Sequence, residues 1–171
     1  LLLMFFGLSA NTSLQAQCEN WVGSPNMAEA ETAHVLYRQE VKNKNYAGAY
    51  ENWKKAYELA PAADGKRPSH YADGRKILKD MWEKETDDAK KKELADFILK
   101  LYDQQIECYK NEAALLGFKG YDMFYYFRTP YPTTKAVLKK ALNARTNKDW
   151  LSHKKQELRS ILSLFNYVYI Q

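Results

Sequence analysis

The stretch that decides the fold is NYAGAYENWKKAYELAP, residues 45–61. Its large and small side chains recur at steps of three, four, three and five, at Tyr46, Ala49, Trp53, Ala56 and Pro61. Positions three and four residues apart lie on one face of an α-helix, so this spacing predicts a helix with one buried face. Proline cannot continue a helix, and the helix is therefore predicted to end just before Pro61.

Helical spacing of apolar residues extends from Ala28 onward, and no stretch shows the sustained alternation of a half-buried strand. The chain is therefore predicted to be all-α, with antiparallel helix pairs joined by short loops. About seven helices are expected, over Met27–Lys42, Tyr46–Ala60, Ser69–Lys84, Thr86–Asn111 with Thr86 as its cap, Glu112–Phe127, Thr133–Ala144 and Asp149–Tyr169. Residues 128–132 contain two prolines and are expected to form a rigid turn.

The 45–61 spacing resembles the second helix of a tetratricopeptide repeat (TPR). Small residues there let the first helix of the pair pack closely, and proline closes the pair. The same steps of three, four and three recur at Tyr131, Thr134, Leu138 and Ala141. The first helix departs from the family pattern at Ala33, Tyr37 and Glu40. The resemblance implies that residues 28–171 form a short, irregular TPR-like α-solenoid.

Over about Cys18–Asn147 the chain is similar to the N-terminal part of secreted TPR proteins of Bacteroidota. The matching stretches are NYAGAYENW at 45–53, LYDQQ at 101–105 and LGFKGYD at 116–122. This resemblance implies an exported scaffold of the periplasm or cell envelope.

Residues 1–17 contain no charged side chain, and Leu1–Leu8 is almost entirely apolar. Such a run has the length of a signal-peptide core and is too short to span a bilayer. We therefore interpret residues 1–17 as a signal peptide that is clipped at its N-terminus, and residues 18–27 as a linker. The alternative is that Leu1–Leu8 forms a buried helix of the domain.

Two cysteines allow only one intramolecular pairing, between Cys18 and Cys108. Export would allow that disulfide to form, but Cys108 lies in an apolar helical pattern and is expected to be an ordinary buried thiol. Lipid attachment to Cys18 is not favoured, because Gln15 and Gln17 stand where leucine and a small residue are expected.

No motif for catalysis, for a cofactor or for a metal is present. His34, His70 and His153 each lack neighbouring ligand residues at metal spacing. Two carboxylate pairs could be imagined as general acids, Asp73 with Asp80 and Glu107 with Glu112, but charged residues are common on helix surfaces. A helical enzyme is therefore the weaker alternative, and no catalytic residue is assigned.

The composition has 14% aromatic residues, among them thirteen tyrosines, and a net charge of +5. Tyrosines beside basic groups also occur in single-strand nucleic-acid binders, which makes a basic nucleic-acid-binding domain a second alternative. Most of these tyrosines fall on helix faces that are expected to be buried, and an exported protein rarely meets nucleic acid.

The leading hypothesis is a non-catalytic protein-interaction scaffold that binds a partner peptide or helix in a groove lined by first helices. By analogy with the family, the groove residues would be His34, Arg38, Arg75, Lys79, Lys119, Met123 and Tyr126. Four basic groups and a histidine favour an acidic partner. Each residue has an ordinary alternative, namely the protein core for Met123 and Tyr126 and a solvated surface for the others.

Overall fold

The computed structural model describes residues 17–144. The chain divides into two compact units, Leu1–Lys84 (unit 1) and Glu85–Gln171 (unit 2). The described range contains six α-helices and no strand: α1 Met27–Lys42, α2 Tyr46–Leu59, α3 Ser69–Lys84, α4 Asp88–Tyr109, α5 Glu112–Tyr125 and α6 Tyr131–Asn143. The prediction of an all-α fold of TPR-like helix pairs is confirmed. The predicted helix Asp149–Tyr169 and nearly all of the predicted signal peptide lie outside the described residues.

The start of α4 differs from the prediction by one capping residue. The side chain of Asp87 accepts a hydrogen bond from the backbone N–H of Lys90 at 2.9 Å. It thereby satisfies one of the N–H groups that have no partner within the first turn of the helix. Asp87, and not Thr86, is therefore the N-cap, and its negative charge is also favourable at this end of the helix.

Helix α6 begins two residues earlier than predicted and includes a proline. It starts at Tyr131, so Pro132 lies in the first turn. A proline there removes an N–H that would have had no partner within the helix, and its fixed φ suits the helical backbone. The rigid turn is therefore shorter than residues 128–132.

Unit 1 is built on close contact between α2 and its two neighbours. Helix α1 packs on α2, and α2 packs on α3. Trp53 of α2 is fully buried, and its indole Nε1–H donates a 2.7 Å hydrogen bond to the backbone carbonyl of His70. Gly74 of α3 lies directly against the same indole, where a longer side chain would have no room. The predicted helix face of residues 45–61 is thus the centre of the unit.

The segment predicted as a linker contributes to the core of unit 1. Trp21 is only 5% exposed and packs with Ala30, Ala60 and Ala63. Its backbone N–H donates to the carbonyl of Ala63 at 2.9 Å. The chain before α1 is therefore attached to the loop that follows α2.

In unit 2, as in unit 1, a small residue packs against a large one. Helices α5 and α6 form a packed pair, and Gly120 lies against the buried side chain of Leu138. The hydroxyl of Tyr102 on α4 donates a 2.9 Å hydrogen bond to the buried carboxylate of Asp122 on α5. This bond satisfies a charge that would otherwise be costly to bury.

The expectation of an ordinary buried thiol at Cys108 is wrong. Neither Cys18 nor Cys108 is a free thiol, since both are disulfide-bonded. Cys108 is only half-buried, near the C-terminal end of α4, so its helical pattern did not place it in the core.

Among the described helices, none combines the length and the apolar character that a membrane span requires.

Candidate functional site

A row of polar side chains one helical turn apart runs along α1. His34, Arg38 and Lys42 lie at successive i, i+4 positions and therefore share a helix face. With Val35 and Gln39 they line a surface cleft of about 370 Å³, which we call the α1 cleft. Val35 is 63% exposed and supplies an apolar patch beside the basic groups.

The Arg38 side chain is held by a buried carboxylate from α3. Its Nη1 lies 2.5 Å from Oδ2 of Asp73, whose side chain is 2% exposed. Lys76 places Nζ 3.0 Å from the other oxygen of Asp73, and the hydroxyl of Tyr37 donates to Oδ2 at 3.5 Å. The bond to Asp73 raises the pKa of Arg38. The Arg38 side chain is still 41% exposed, so part of its guanidinium faces the solvent at the cleft.

Beside this ion pair, two histidines are joined in a chain of hydrogen bonds that we call the histidine chain. Nδ1 of His70 lies 2.7 Å from the backbone oxygen of Ala60. Nε2 of His70 lies 3.0 Å from Nδ1 of His34. The ring of Trp21 packs against both imidazoles, with centroid distances of 5.0 Å to His34 and 5.4 Å to His70. The histidine chain therefore connects α1, α3 and the segment before α1.

Burial governs the titration of these groups. Burial lowers the pKa of His70 from 6.5 to about 4, although its bond to the Ala60 carbonyl opposes the change. The pKa of His34 is also lowered, first by burial and then by the positive charges of Arg38 and Arg67. Burial and the charge of Asp73 raise the pKa of Tyr37 far above its ordinary value. Both histidines are therefore neutral near pH 7.

The structure brings together two of the seven predicted groove residues, His34 and Arg38. Arg75 and Lys79 lie on α3, where each is half-buried and engaged in an interaction. His34 and Arg38 line the α1 cleft, whereas Arg75 and Lys79 are not among its lining residues.

The other three predicted residues belong to unit 2, where they stabilise that unit. The ammonium of Lys119 pairs with Asp103 at 2.6 Å and its side chain is only 12% exposed. Met123 is 2% exposed and therefore lies in the core, which was its alternative interpretation. Tyr126 is half-buried, with its ring 6.2 Å from that of Tyr121. Lys119 and Met123 therefore expose little of their side chains.

Sequence reasoning missed His70, Asp73 and Lys42 as members of this site. His34 and His70 are 36 residues apart, and Arg38 and Asp73 are 35 apart. These two contacts join α1 to α3. Two pairs of polar residues with nearly the same separation in the sequence were the signal that could have indicated this contact between α1 and α3.

Three of the four carboxylates considered for catalysis pair with cations. Asp80 pairs with Lys84 at 2.7 Å, and Glu112 pairs with Lys140 at 3.2 Å. Asp73 is held by Arg38 and Lys76, as described above. Within residues 17–144, no three His, Cys, Asp or Glu side chains lie together in a way that could hold a metal ion.

Comparison with protein-family models, with curated proteins and with solved structures gave no significant match for this chain.

The two cations on Asp73 are expected to differ in their contribution to stability. Arg38→Met removes the ion pair between α1 and α3 and leaves the buried carboxylate of Asp73 with less positive charge beside it. We therefore expect the free energy of unfolding to fall by about 1–2 kcal/mol. Lys76→Met is the matched control, since it removes a more exposed cation from the same helix as Asp73, and we expect about 0.5 kcal/mol. Urea titration followed by far-UV circular dichroism measures both.

Adding Asp73→Asn to Arg38→Met should recover part of the loss, because a neutral amide does not need the cation. Equal losses for the two single variants would contradict the view that Arg38 is the main partner of Asp73.

Proposed function

We propose that this protein is a non-catalytic interaction module of an exported, envelope-associated scaffold, and that its α1 cleft binds an acidic segment of a partner protein. The observation that carries the proposal is the composition of the cleft. Arg38 and Lys42 offer cationic donors one turn apart, His34 offers a titratable group, and Val35 offers exposed apolar surface. Carboxylates suit such donors, and an aliphatic side chain of the partner suits Val35.

Two features of the chain support export. Residues 1–17 are uncharged and begin with an apolar run of signal-peptide length. Neither cysteine is a free thiol, and disulfides persist mainly in oxidising compartments. The resemblance to secreted TPR proteins supports the periplasm or cell envelope as the location of the scaffold.

The packing of the cationic side chains determines which substitutions can test the proposal. Reversing Arg38 would place a second carboxylate beside buried Asp73, and reversing Lys119 would break its pair with Asp103. Both changes would weaken the fold as well as any binding. Lys42 and Gln39 are exposed residues of the cleft, so Lys42→Glu with Gln39→Glu is the better test.

The full chain is titrated into a fluorescent peptide of alternating Glu and Leu, and anisotropy is recorded at physiological ionic strength. We expect the Lys42→Glu, Gln39→Glu double variant to bind about tenfold more weakly, because two unfavourable charges now face the peptide. Lys54→Glu is the control variant, since Lys54 is exposed on α2 and does not line the cleft; this substitution changes the net charge by two units, against three for the double variant. It should change the affinity by less than about twofold.

Equal weakening by Lys54→Glu would show a general charge effect and contradict a site on α1. A peptide in which Gln replaces every Glu should not bind. Tighter binding of a single-stranded oligonucleotide than of the acidic peptide, with a steep dependence on salt, would favour the nucleic-acid alternative.

A further inference from the structure

The histidine chain has only one arrangement of protons when both rings are neutral. A carbonyl oxygen can only accept, so Nδ1 of His70 must carry the proton that it shares with Ala60. Nε2 of neutral His70 is then an acceptor, and Nδ1 of His34 must donate to it. Neutral His34 is thereby left with an unprotonated Nε2. His70 therefore determines which nitrogen of His34 can take up a proton.

That nitrogen belongs to a ring that lines the α1 cleft. Within residues 17–144, the one buried side-chain polar atom without a hydrogen-bond partner is Oγ of Ser24. Nε2 of His34 makes no hydrogen bond there, so it is accessible to water. His34 lines the α1 cleft on the same helix face as Arg38 and Lys42, and we infer that Nε2 is the edge of its ring that a ligand in the cleft would meet.

The histidine chain can accept one additional proton but not two. The first proton binds Nε2 of His34 and leaves both existing hydrogen bonds in place. A second would have to bind Nε2 of His70, where it would face the N–H of His34 across 3.0 Å. Protonation in the folded protein is therefore directed to His34, at the edge where a bound anion would lie.

We propose that the α1 cleft is a proton-linked anion site, in which a carboxylate of the acidic partner binds together with a proton on Nε2 of His34. The proposal rests on the function proposed above and adds its regulation, because capture of the partner then becomes stronger as the pH falls. His70 is a positioning residue that keeps the correct nitrogen of His34 free.

The charges around His34 favour its neutral form when the cleft is empty. On its own helix Arg38 disfavours the proton, and from the loop after α2 so does Arg67; Asp73 on α3 and Asp64 in that loop favour it. Together with burial these groups lower the pKa of His34 in the absence of a partner. A carboxylate beside Nε2 would raise it again, and by linkage the proton would strengthen carboxylate binding equally.

The test compares the affinity of the Glu–Leu peptide at about pH 7.5 and about pH 5.5, where its carboxylates are still ionised. We expect binding to be about five- to tenfold tighter at the lower pH, since a pKa rise of about one unit corresponds to tenfold in affinity. Isothermal titration calorimetry at about pH 6.5 in two buffers of different ionisation enthalpy should show net proton uptake on binding. Circular dichroism checks that the protein is folded at each pH.

His34→Gln is the decisive variant, because an amide can still donate to Nε2 of His70 but does not titrate. It should lose both the proton uptake and the tightening at low pH, whatever its affinity at about pH 7.5. Gln39→Ala, a change in the same cleft that leaves the histidines intact, should retain both.

The outcomes separate the two proposals. Binding without proton uptake and with equal affinity at both pH values would overturn the proton linkage and leave the proposed function standing. Retention of the pH dependence in His34→Gln would also overturn it, since another group would then titrate. Absence of peptide binding at both pH values would contradict the proposed function itself.

Discussion

Gly74→Ala is expected to lower the free energy of unfolding of unit 1 by about 2–3 kcal/mol. The added Cβ would lie 2.3 Å from Cζ2 and 2.6 Å from Cε2 of Trp53. The indole cannot move aside, because it is fully buried, stacked on Tyr57 and bonded through Nε1 to the carbonyl of His70. At a helix position with free space around the glycine, the same substitution would stabilise the protein by up to about 1 kcal/mol. A destabilising effect would therefore by itself indicate the contact with Trp53.

Gly120→Ala is the matched comparison in unit 2. Its Cβ would lie 2.4 Å from Cδ2 and 2.8 Å from Cγ of Leu138, a side chain that can change rotamer and is less rigid than an indole. We therefore expect a smaller loss, about 1 kcal/mol. Urea titrations followed by circular dichroism and tryptophan fluorescence measure both variants.

A double variant tests the mechanism directly. Trp53→Phe is destabilising by itself, but it removes the ring atoms that Gly74→Ala would overlap. The double variant should therefore lose less unfolding free energy than the sum of the two single losses, with a coupling of about 1 kcal/mol or more. Strict additivity, or a Gly74→Ala variant as stable as the parent, would contradict the packing described here.

Acid is expected to destabilise unit 1 through His70. The pKa of His70 is about 4 in the folded protein and 6.5 as its ordinary value, which applies when the chain unfolds. Between these values the unfolded chain binds a proton that the folded chain does not, so stability falls as the pH decreases. The loss of unfolding free energy reaches about 3 kcal/mol near pH 4, and above about pH 7.5 His70 makes no contribution to the pH dependence of stability. His34 acts in the same direction, since its pKa is also lowered.

Asp64 acts over a different pH range. Burial opposes its ionisation, but hydrogen bonds from Arg67 and Lys66 prevail and hold its pKa at about 2, below its ordinary 3.8. The stability that it contributes is therefore present above about pH 4 and is lost only below that value. A loss measured between about pH 7 and about pH 4.5 consequently reports the histidines.

The measurement is the urea midpoint at three pH values across this range. His70→Gln removes the titrating ring, so it should be less stable near pH 7 and show a much shallower decline toward acid. An equally steep decline in this variant would contradict the assignment to His70.

Local signals were enough to predict most of the helices. The bounds of α1 and α3 match the prediction, because caps, helical spacing and prolines act over a few residues. The errors are also local: Asp87 caps α4 in place of Thr86, and Pro132 is accommodated in the first turn of α6.

The candidate site was predicted only in part, and the reason is its construction from distant segments. His34 and Arg38 were identified as polar residues on an outward helix face. Their partners His70 and Asp73 lie on α3 and could not be assigned without knowing how α1 and α3 meet. A buried carboxylate looks the same as an exposed one in a sequence, since burial depends on what packs over it.

The sequence by itself determined that this protein is all-α, where most of its helices lie, and that residues 45–61 contain a helix with one buried face of large and small side chains. Those properties follow from the 3.6-residue period and from capping, which involve only neighbours in the chain. Only the tertiary structure decided that Trp21 completes a core, that His34 and His70 share a hydrogen bond, and that Arg38 is tied to Asp73. Each of these contacts joins separate segments, and the free energy that selects it comes from burying groups of both segments together.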